Sequence, residues 1–338
     1  MSAARDTALR LPDAPVPAAT SSTAVAVLRG VAKAYGETRA LRGLDLALPA
    51  GVTGVLGPNG SGKSTLFRLL LGLEPADQGE VWVLGQAMPD AALAVRALVG
   101  FMPEDDCLFP DLTGIEQVVH AASLCGLPRV DATARAHEAL DLAGVRETRY
   151  RPAAGYSLGM RQRTRMAMAF VHGPRLLLLD EPTAGLDPEG RAQMLELVAE
   201  IGQAGTSVLL STHVLADVEA VADHVALLSK GQVGFVGPIE RFRQGASGPA
   251  WRVRVHGDRD ALTAPLRAAG IRCDLAGIDL TVHLDEADLA QFWQIAAASG
   301  IGVAGFGRAE EDMAHAFVRH LHIDDPLRKV GAHPEASP

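Results

Sequence analysis

The chain has 338 residues, of which 48% are hydrophobic and 21% charged, a composition typical of folded domains rather than of disordered chains. Its net charge is -9, which disfavours a broad nucleic-acid-binding surface. No apolar run approaches the roughly 18 residues that a membrane span needs, and three scattered cysteines predict free thiols rather than a disulfide framework.

Residues 1–23 mix charges with several prolines, so we expect a flexible tail there and no secretory signal. From Ala24 onward, short apolar runs alternate with stretches of helical spacing. The runs that predict strands are 24–35, 41–51, 51–57 and 79–85, and a helix is predicted over 63–73. Residues 88–172 predict a helical subdomain, with helices near 91–98, 114–124, 131–143 and 161–171.

A continuous apolar strand is predicted over 175–181, followed by a helix at 189–204 and a second strand at 207–213. A helix at 214–222 and a hairpin at 224–237 complete the pattern. Strands that are nearly solid Val and Leu, flanked by helices, indicate a mostly parallel sheet buried on both faces. The sequence therefore predicts one α/β domain over residues 24–237.

The segment 238–250 predicts a linker, because Gly, Pro and Ser interrupt it. Beyond it, residues 251–322 follow the order β-α-β-β-α-β-α, which is typical of a small ferredoxin-like α+β module. Residues 323–338 are expected to be a loose tail. The scattered histidines of this region suit core or solvated positions better than a metal site.

The stretch "GPNGSGKST" fits the phosphate-loop pattern G-x-x-x-x-G-K-[ST], with a strand before it and a helix after it. Its glycines allow the backbone to wrap around phosphate oxygens, Lys63 can reach the outer phosphates, and Ser64 can offer a hydroxyl to Mg²⁺. The expected nucleotide-binding residues are Gly57, Pro58, Asn59, Gly60, Ser61, Gly62, Lys63, Ser64 and Thr65. A plain glycine-rich turn is the alternative.

The stretch "RLLLLDE" supplies the second half of such a site. Its apolar strand carries Asp180 to the carboxyl edge of the sheet, where open parallel sheets bind ligands. Asp180 is suited to a magnesium hydration shell, and Glu181 can act as general base if it reaches the attacking water. The alternative for Glu181 is a surface residue that caps the next turn.

These ordered motifs resemble an ATP-binding-cassette (ABC) transporter ATPase, specifically the separate cytosolic subunit of an ABC-2-type exporter. The resemblance covers residues 25–237, with "GPNGSGKST" as Walker A, "RLLLLDEPTAGLDP" as Walker B and D-loop, and "STH" as the switch segment. It implies a P-loop NTPase fold with a mostly parallel sheet, an antiparallel β subdomain and a helical subdomain. Residues 251–322 resemble, more diffusely, the small C-terminal domain of this subgroup.

The resemblance assigns further residues to the ATP site. It implies that Tyr35 stacks on adenine and that His213 reaches the γ-phosphate and holds the water with the base. A core or surface tyrosine is the alternative for Tyr35. Asp187 resembles the D-loop aspartate that communicates across a dimer, although Asp followed by Pro is also good helix-cap chemistry.

Two segments depart from the family pattern. Glu104 stands where the family usually has Gln; a carboxylate can still ligate Mg²⁺ but cannot donate a hydrogen bond when ionised. The alternative there is an exposed acidic loop. The signature, usually Leu-Ser-Gly-Gly-Gln, reads "YSLGM", which keeps Ser157 and Gly159 as groups for the γ-phosphate of an opposing subunit. Simple helix capping by Ser157 is the alternative.

The resemblance implies a clamp in which two subunits, expected to be a homodimer, sandwich two ATP–Mg²⁺ complexes. The expected catalytic residues are Glu181, His213 and Lys63, and the expected magnesium ligands are Ser64, Asp180 and Glu104. A separate multi-span permease would dock near residues 107–126 and hold the subunit on the cytoplasmic face of the membrane; nucleic acid is not an expected partner. Leu108, Phe109 and Leu112 suit that contact or a core equally well. The alternative function is a soluble, non-transport ATPase that acts as a regulatory or nucleic-acid-linked factor.

Overall fold

The computed structural model describes residues 24–244, 250–257, 259–276, 279–308 and 317. The predicted tails and nearly all of the helix predicted at 310–322 lie outside these residues. The chain divides into two compact units, with the boundary between Gly237 and Pro238. Within the described ranges, no helix combines the length and the apolar character that a membrane crossing requires.

The strands of the first unit alternate with helices, as the apolar pattern predicts. The strands are β1 (Ala24–Tyr35), β2 (Thr38–Pro49), β3 (Val52–Leu56), β4 (Gln78–Val83), β5 (Gln86–Met88), β6 (Val99–Met102), β7 (Leu176–Asp180), β8 (Ser207–Thr212), β9 (His224–Ser229) and β10 (Gln232–Pro238). The helices are α1 (Lys63–Leu70), α2 (Ala92–Arg96), α3 (Gly114–Leu124), α4 (Arg129–Leu142), α5 (Leu158–Phe170), α6 (Pro188–Gln203) and α7 (Leu215–Val221), with 3₁₀ turns at Arg146–Tyr150 and Ala153–Gly155.

The central sheet has six strands in the order β10-β9-β3-β8-β7-β6. Strands β9, β3, β8, β7 and β6 pair in parallel, and β3, β7 and β8 are buried along their whole length. Hydrophobic clusters cover both faces, which explains why these strands are continuous Val and Leu runs. The carboxyl ends of β3, β8 and β7 therefore lie side by side, where an open parallel sheet binds ligands.

An antiparallel sheet in the order β2-β1-β4-β5 and the helical segment α3–α5 complete the first unit. These are the β subdomain and helical subdomain that the sequence predicts. Strand β6 was not predicted, because four residues that include a glycine carry too little periodic signal. It pairs in parallel with β7, in the register Met102↔Leu179, and so places the following loop beside the end of β7.

The second unit contains helix α8 (Ile239–Gln244), followed by β11 (Ala250–His256), α9 (Asp260–Ala268), β12 (Arg272–Ala276), β13 (Asp279–His283), a 3₁₀ turn at Glu286–Asp288, α10 (Leu289–Ala298) and β14 (Gly302–Arg308). The sheet order β12-β13-β11-β14, with antiparallel neighbours, is that of the ferredoxin-like arrangement. Within the segment predicted as a linker, Ile239–Gln244 thus form a helix, in which Ile239 and Phe242 are buried.

Candidate functional site

The phosphate loop, Gly57–Thr65, joins β3 to α1 through a tight backbone path. Gly60 and Gly62 have φ angles of 76° and 109°, in the left-handed region that favours glycine. A Cβ at Gly62 would lie 2.7 Å from Leu41 Cδ2 and 2.9 Å from the carbonyl oxygen of Ala40. Glycine is therefore required at Gly62 both by its conformation and by the close approach of β2.

The loop is exposed at its tip and buried at its base. Residues Pro58–Gly60 face solvent, whereas Ser61 and Thr65 are buried. The backbone N–H of Ser61 donates to the carbonyl of Pro58 at 3.1 Å, and its own carbonyl accepts from Gly231 N–H at 3.1 Å. The Ser61 hydroxyl is buried and has no hydrogen-bond partner among the described residues. The loop is thus fixed at its base while its tip stays open.

Lys63 is a buried cation in the middle of the site. Its Nζ donates to the carbonyl of Gly57 at 2.7 Å and lies 3.9 Å from Glu181 Oε1. Burial lowers the pKa of Lys63, although the negative charges of Glu181, Asp180 and Glu104 act in the opposite direction. The ammonium group is therefore held beside the carboxylates that end β7, within the curve of the phosphate loop.

Asp180 ends β7 and connects it to the two neighbouring elements. Its Oδ2 accepts a hydrogen bond from Ser64 Oγ at 3.0 Å, and its Oδ1 accepts from Ser211 Oγ at 2.7 Å. The sequence motifs point to Ser64 and Asp180 but not to Ser211, which lies on β8 two residues before His213. Because the hydroxyl of Ser64 and the carboxylate of Asp180 are hard oxygen donors that meet here, they fit a magnesium ion.

Glu181 and His213 lie side by side at the ends of β7 and β8. Nδ1 of His213 lies 2.9 Å from Glu181 Oε1, and the backbone N–H of Glu181 donates to the carbonyl of Ser211 at 2.9 Å. Glu181 is buried and has a φ of 49°, an uncommon angle for a residue with a side chain. This turn brings its carboxylate back over the phosphate-loop lysine, and His213 is 55% exposed beside it.

Helix α7 begins two residues after His213 and packs against the residues that follow β7 and against β3. Asp217, which is fully buried, accepts hydrogen bonds from Thr183 Oγ1 at 2.6 Å and Arg191 Nε at 2.5 Å. Val218 packs so closely on β3 that a Cβ at Gly54 would lie 2.5 Å from its Cγ1. The sequence motifs do not single out Asp217, because its partners are distant in the chain.

Glu104 is an exposed residue in the loop that follows β6, and the arginines of α5 hold that loop. Arg161 forms an ion pair with Asp106, with Nη1 and Oδ2 2.6 Å apart, and Arg165 donates to the carbonyl of Pro103. Arg165 is only 4% exposed, although it belongs to a run of three basic residues near the start of α5. Helix α5 and the Glu104 loop are therefore linked by an ion pair and a hydrogen bond.

Ser157 is the N-cap of α5, and its hydroxyl accepts from Met160 N–H at 3.3 Å. Asp187 caps α6 in the same way, accepting from Gly190 N–H at 3.0 Å. Both residues, with Gly159, line an open cleft of about 440 Å³ to which no phosphate-loop residue contributes. Leu158 Cδ2 packs against Gly185, so the extra side chain of the "YSLGM" segment leans toward the D-loop.

Tyr156, just before Ser157, ties the "YSLGM" segment to α3. Its hydroxyl accepts from Gly114 N–H at 3.1 Å and donates to the carbonyl of Thr148 at 2.9 Å. A Cβ at Gly114 would lie 2.4 Å from this hydroxyl, so only glycine fits there. Burial raises the pKa of Tyr156, although the bond from Gly114 acts in the opposite direction.

We expect Tyr156→Phe to lower the free energy of unfolding by about 1–3 kcal/mol, because it leaves the N–H of Gly114 without its acceptor and removes one of the two hydrogen bonds to the carbonyl of Thr148. Urea unfolding of the full chain measures the change. Tyr150→Phe is the matched control, since Tyr150 is 56% exposed. Equal stability of the two variants would show that the bonds of Tyr156 contribute no more than those of an exposed tyrosine.

Tyr35 lies at the end of β1, where it pairs with Thr38 across the hairpin. Its side chain is 41% exposed, its hydroxyl donates to Glu74, and Lys33 Nζ lies 5.7 Å from the ring centre. The ring is thus accessible at the rim of the antiparallel sheet. Its stacking on adenine stays a prediction.

The arrangement has the parts that phosphoryl transfer to water requires. A backbone loop and a lysine can bind phosphate oxygens, while Ser64 and Asp180 present oxygen ligands for a cation. Glu181, oriented by its contact with His213, can accept a proton from water at the end of the phosphate loop. Catalysis by such a site is mainly positioning and electrostatic stabilisation.

Comparison with known proteins identifies the same architecture. The family model described as ABC transporter matches residues 41–184. The daunorubicin/doxorubicin resistance ATP-binding protein DrrA of Streptomyces peucetius is 37% identical over 257 residues, covering 76% of this chain and 76% of that protein. The linearmycin resistance ATP-binding protein LnrL of Bacillus subtilis (strain 168) is 30% identical and covers 88% of this chain and 93% of its own length.

Solved structures extend the comparison to the fold. An ATP-binding cassette described as dimeric, in a post-hydrolysis state and bound to ADP and Pi, superposes with a TM-score of 0.58 at 25% identity. The match covers 63% of this chain and 98% of that one. The part of the chain that matches it therefore has the size of a complete cassette.

Proposed function

Because the chain belongs to the ABC transporter family of ATP-binding subunits, we propose that it drives export through a separate membrane permease of the ABC-2 type. It is an ATPase, which converts ATP and water to ADP and phosphate. The observation that carries the proposal is the meeting of Lys63, Ser64, Asp180, Glu181 and His213 at the ends of three adjacent strands. Relatives named for drug resistance support an export role.

In the proposed reaction, the phosphate loop binds ATP with its backbone N–H groups and Lys63 neutralises the outer phosphates. Glu181 accepts the proton of the attacking water, and His213, whose Nδ1 contacts the Glu181 carboxylate, helps to hold that water and reaches the γ-phosphate. Ser64 would hold Mg²⁺ through its hydroxyl, Asp180 would hold its hydration shell, and Glu104 would approach from its loop. When bound, the cation would supply neutralisation of phosphate charge.

The second half of each ATP site would come from a second copy of the chain. Ser157 and Gly159 expose a hydroxyl and a backbone N–H at the amino end of α5, a position that favours an anion. The cleft that they line contains no residue of the phosphate loop, so Ser157 and Gly159 could contact only an ATP that is bound by the phosphate loop of another copy. We infer a homodimer in which each ATP lies between the phosphate loop of one copy and the "YSLGM" segment of the other.

The permease would bind the helical subdomain around the loop that precedes α3. Phe109 is 53% exposed there and contacts His120 edge-to-face at 6.1 Å, while Leu108 and Leu112 are half-buried. An exposed aromatic residue beside apolar neighbours suits a protein contact. Through this contact the subunit would stay on the cytoplasmic face of the membrane.

Co-purification tests the proposal directly. The tagged chain, purified in detergent from the membranes of its native host, should retain a multi-span membrane protein and show higher ATPase activity in its presence. Phe109→Asp should weaken the association, whereas Leu93→Asp should not, since Leu93 is 80% exposed outside the proposed contact. Recovery of the active chain with no membrane protein bound to it would favour a non-transport ATPase instead.

We expect Glu104→Ala to raise the Mg²⁺ concentration that gives half-maximal ATPase activity by about 10-fold, because an oxygen near the cation is lost. Glu104→Gln keeps an amide oxygen, so its half-maximal Mg²⁺ concentration should stay closer to that of wild type. Phosphate release measured against free Mg²⁺ compares the variants. Unchanged Mg²⁺ dependence and turnover in Glu104→Ala would remove Glu104 from the metal site.

A further inference from the structure

A buried relay of polar side chains crosses α5 from the Glu104 loop to the D-loop. Arg165 donates through Nη2 to the carbonyl of Pro103 and through Nη1 to Gln162 Oε1 at 2.7 Å. Gln162 in turn donates through Nε2 to the carbonyl of Ala184, a long contact of 3.4 Å. Both side chains are 4% exposed. We call these two side chains the α5 relay.

Burying the guanidinium of Arg165 costs desolvation free energy. Both acceptors of Arg165, a carbonyl and an amide, are uncharged, and its Nε has no hydrogen-bond partner among the described residues. The carboxylate of Asp106 interacts electrostatically with Arg165 and is also paired with Arg161. Replacing a buried ion pair by apolar side chains of similar size is often neutral or stabilising. Arg165 is therefore not expected to contribute mainly to the stability of the fold.

The two ends of the α5 relay reach different ATP sites of the proposed dimer. Pro103 immediately precedes Glu104, which serves the ATP bound by the same copy. Ala184 lies between Glu181 and Asp187, in the segment that faces the partner's ATP. Arg165 also lies two helical turns after Ser157, so the helix itself connects the same loop rigidly to the second site.

We propose that Arg165 and Gln162 are positioning residues that couple the two ATP sites of the dimer through each subunit. A change in the Glu104 loop on ATP binding moves the carbonyl of Pro103, and the relay transmits it to the D-loop at the other site. Neither side chain contacts ATP in this arrangement. This inference rests on the proposed dimeric function and adds to it a route between the sites.

The test compares Arg165→Met and Gln162→Met in the full chain, with Arg129→Met as control because Arg129 is exposed on α4. Wild type should hydrolyse ATP cooperatively, with a Hill coefficient above about 1 and at most about 2, the number of ATP sites. Each relay variant should lower it to about 1 and reduce kcat roughly 10-fold to 100-fold. The affinity of the monomer for a fluorescent ATP analogue and the urea midpoint should stay at wild-type values.

If both relay variants kept the wild-type Hill coefficient, the proposed coupling through Arg165 and Gln162 would be wrong. Non-cooperative hydrolysis by wild type would contradict it as well. Parallel losses of analogue affinity and stability would reduce Arg165 to a structural residue. If Arg165→Met does not fold, Gln162→Met and Arg165→Lys decide, because both preserve side-chain length. Wild type that neither dimerises with ATP nor hydrolyses it would contradict the proposed function itself, which separates the two failures.

Discussion

Glu181→Gln is expected to lower kcat for ATP hydrolysis by a factor of about 10²–10⁴, the usual contribution of a general base. The amide keeps the shape of the side chain and can still accept a hydrogen bond from His213, whose Nδ1 lies 2.9 Å from Oε1. It cannot take a proton from water. Phosphate release under saturating ATP measures the change.

The same substitution should stabilise the ATP-bound dimer. If ATP closes the dimer and hydrolysis opens it, a subunit that binds but does not hydrolyse stays closed. Size-exclusion chromatography with ATP should therefore show a dimer for Glu181→Gln where wild type returns to monomer. Nucleotide affinity should stay close to that of wild type, because the carboxylate is not needed to bind the phosphates.

Glu196→Gln is the matched control, since it makes the same charge change at an exposed position of α6. It should leave hydrolysis and dimerisation unchanged. Hydrolysis retained within a few-fold in Glu181→Gln would assign the base elsewhere, with His213 as the next group to replace. Loss of ATP binding together with hydrolysis would instead indicate that the Lys63–Glu181 pair is structural.

Ser157→Arg is expected to abolish ATP-dependent dimerisation and to reduce hydrolysis at least about 100-fold, the scale of losing a charge-stabilising donor. In the proposed homodimer, the hydroxyl of Ser157 and its exposed cleft would form the half-site that receives the partner's ATP. A guanidinium there occupies the space of the γ-phosphate and removes the cap of α5. ATP binding by the monomer should stay nearly intact, because the phosphate loop is untouched.

Thr133→Arg is the control for this substitution, as Thr133 is exposed on α4 in the same helical subdomain. Analytical ultracentrifugation with ATP, in the Glu181→Gln background, reads out the dimer without interference from turnover. A dimer that survived Ser157→Arg would leave Ser157 as a helix cap. Weakened ATP binding by the monomer would mean that α5 acts on the phosphate loop within one copy.

Much of the fold follows from patterns that are local in sequence. Strands β3, β7 and β8 are apolar throughout because both faces are buried, and the phosphate-loop glycines mark the turn between β3 and α1. Helix α8 within 238–250 was missed, since its apolar residues number too few to show a period. Strand β6 was missed because its only signal is a partner, β7, that lies far along the chain.

The site divides in the same way. Lys63, Ser64, Asp180, Glu181 and His213 sit in short motifs, so their meeting could be expected from the order of the strands. Arg165 and Asp217 could not be found, because what matters is a distant carbonyl or hydroxyl, and arginine in a basic run suggests solvent. The roles of Tyr35 and Glu104 stay predictions, since they depend on a nucleotide and a cation rather than on contacts within the chain.

The left-handed backbone of Glu181 sets folding against chemistry at that position. A side chain there costs roughly 1 kcal/mol relative to a residue that adopts positive φ easily. Relief of this strain in Glu181→Gly would be opposed by the loss of the contacts that Glu181 makes with the buried Lys63 and with His213. A selection for thermal resistance alone would act on the strain and on these contacts together, and only a paired selection for turnover would act on the proton transfer itself.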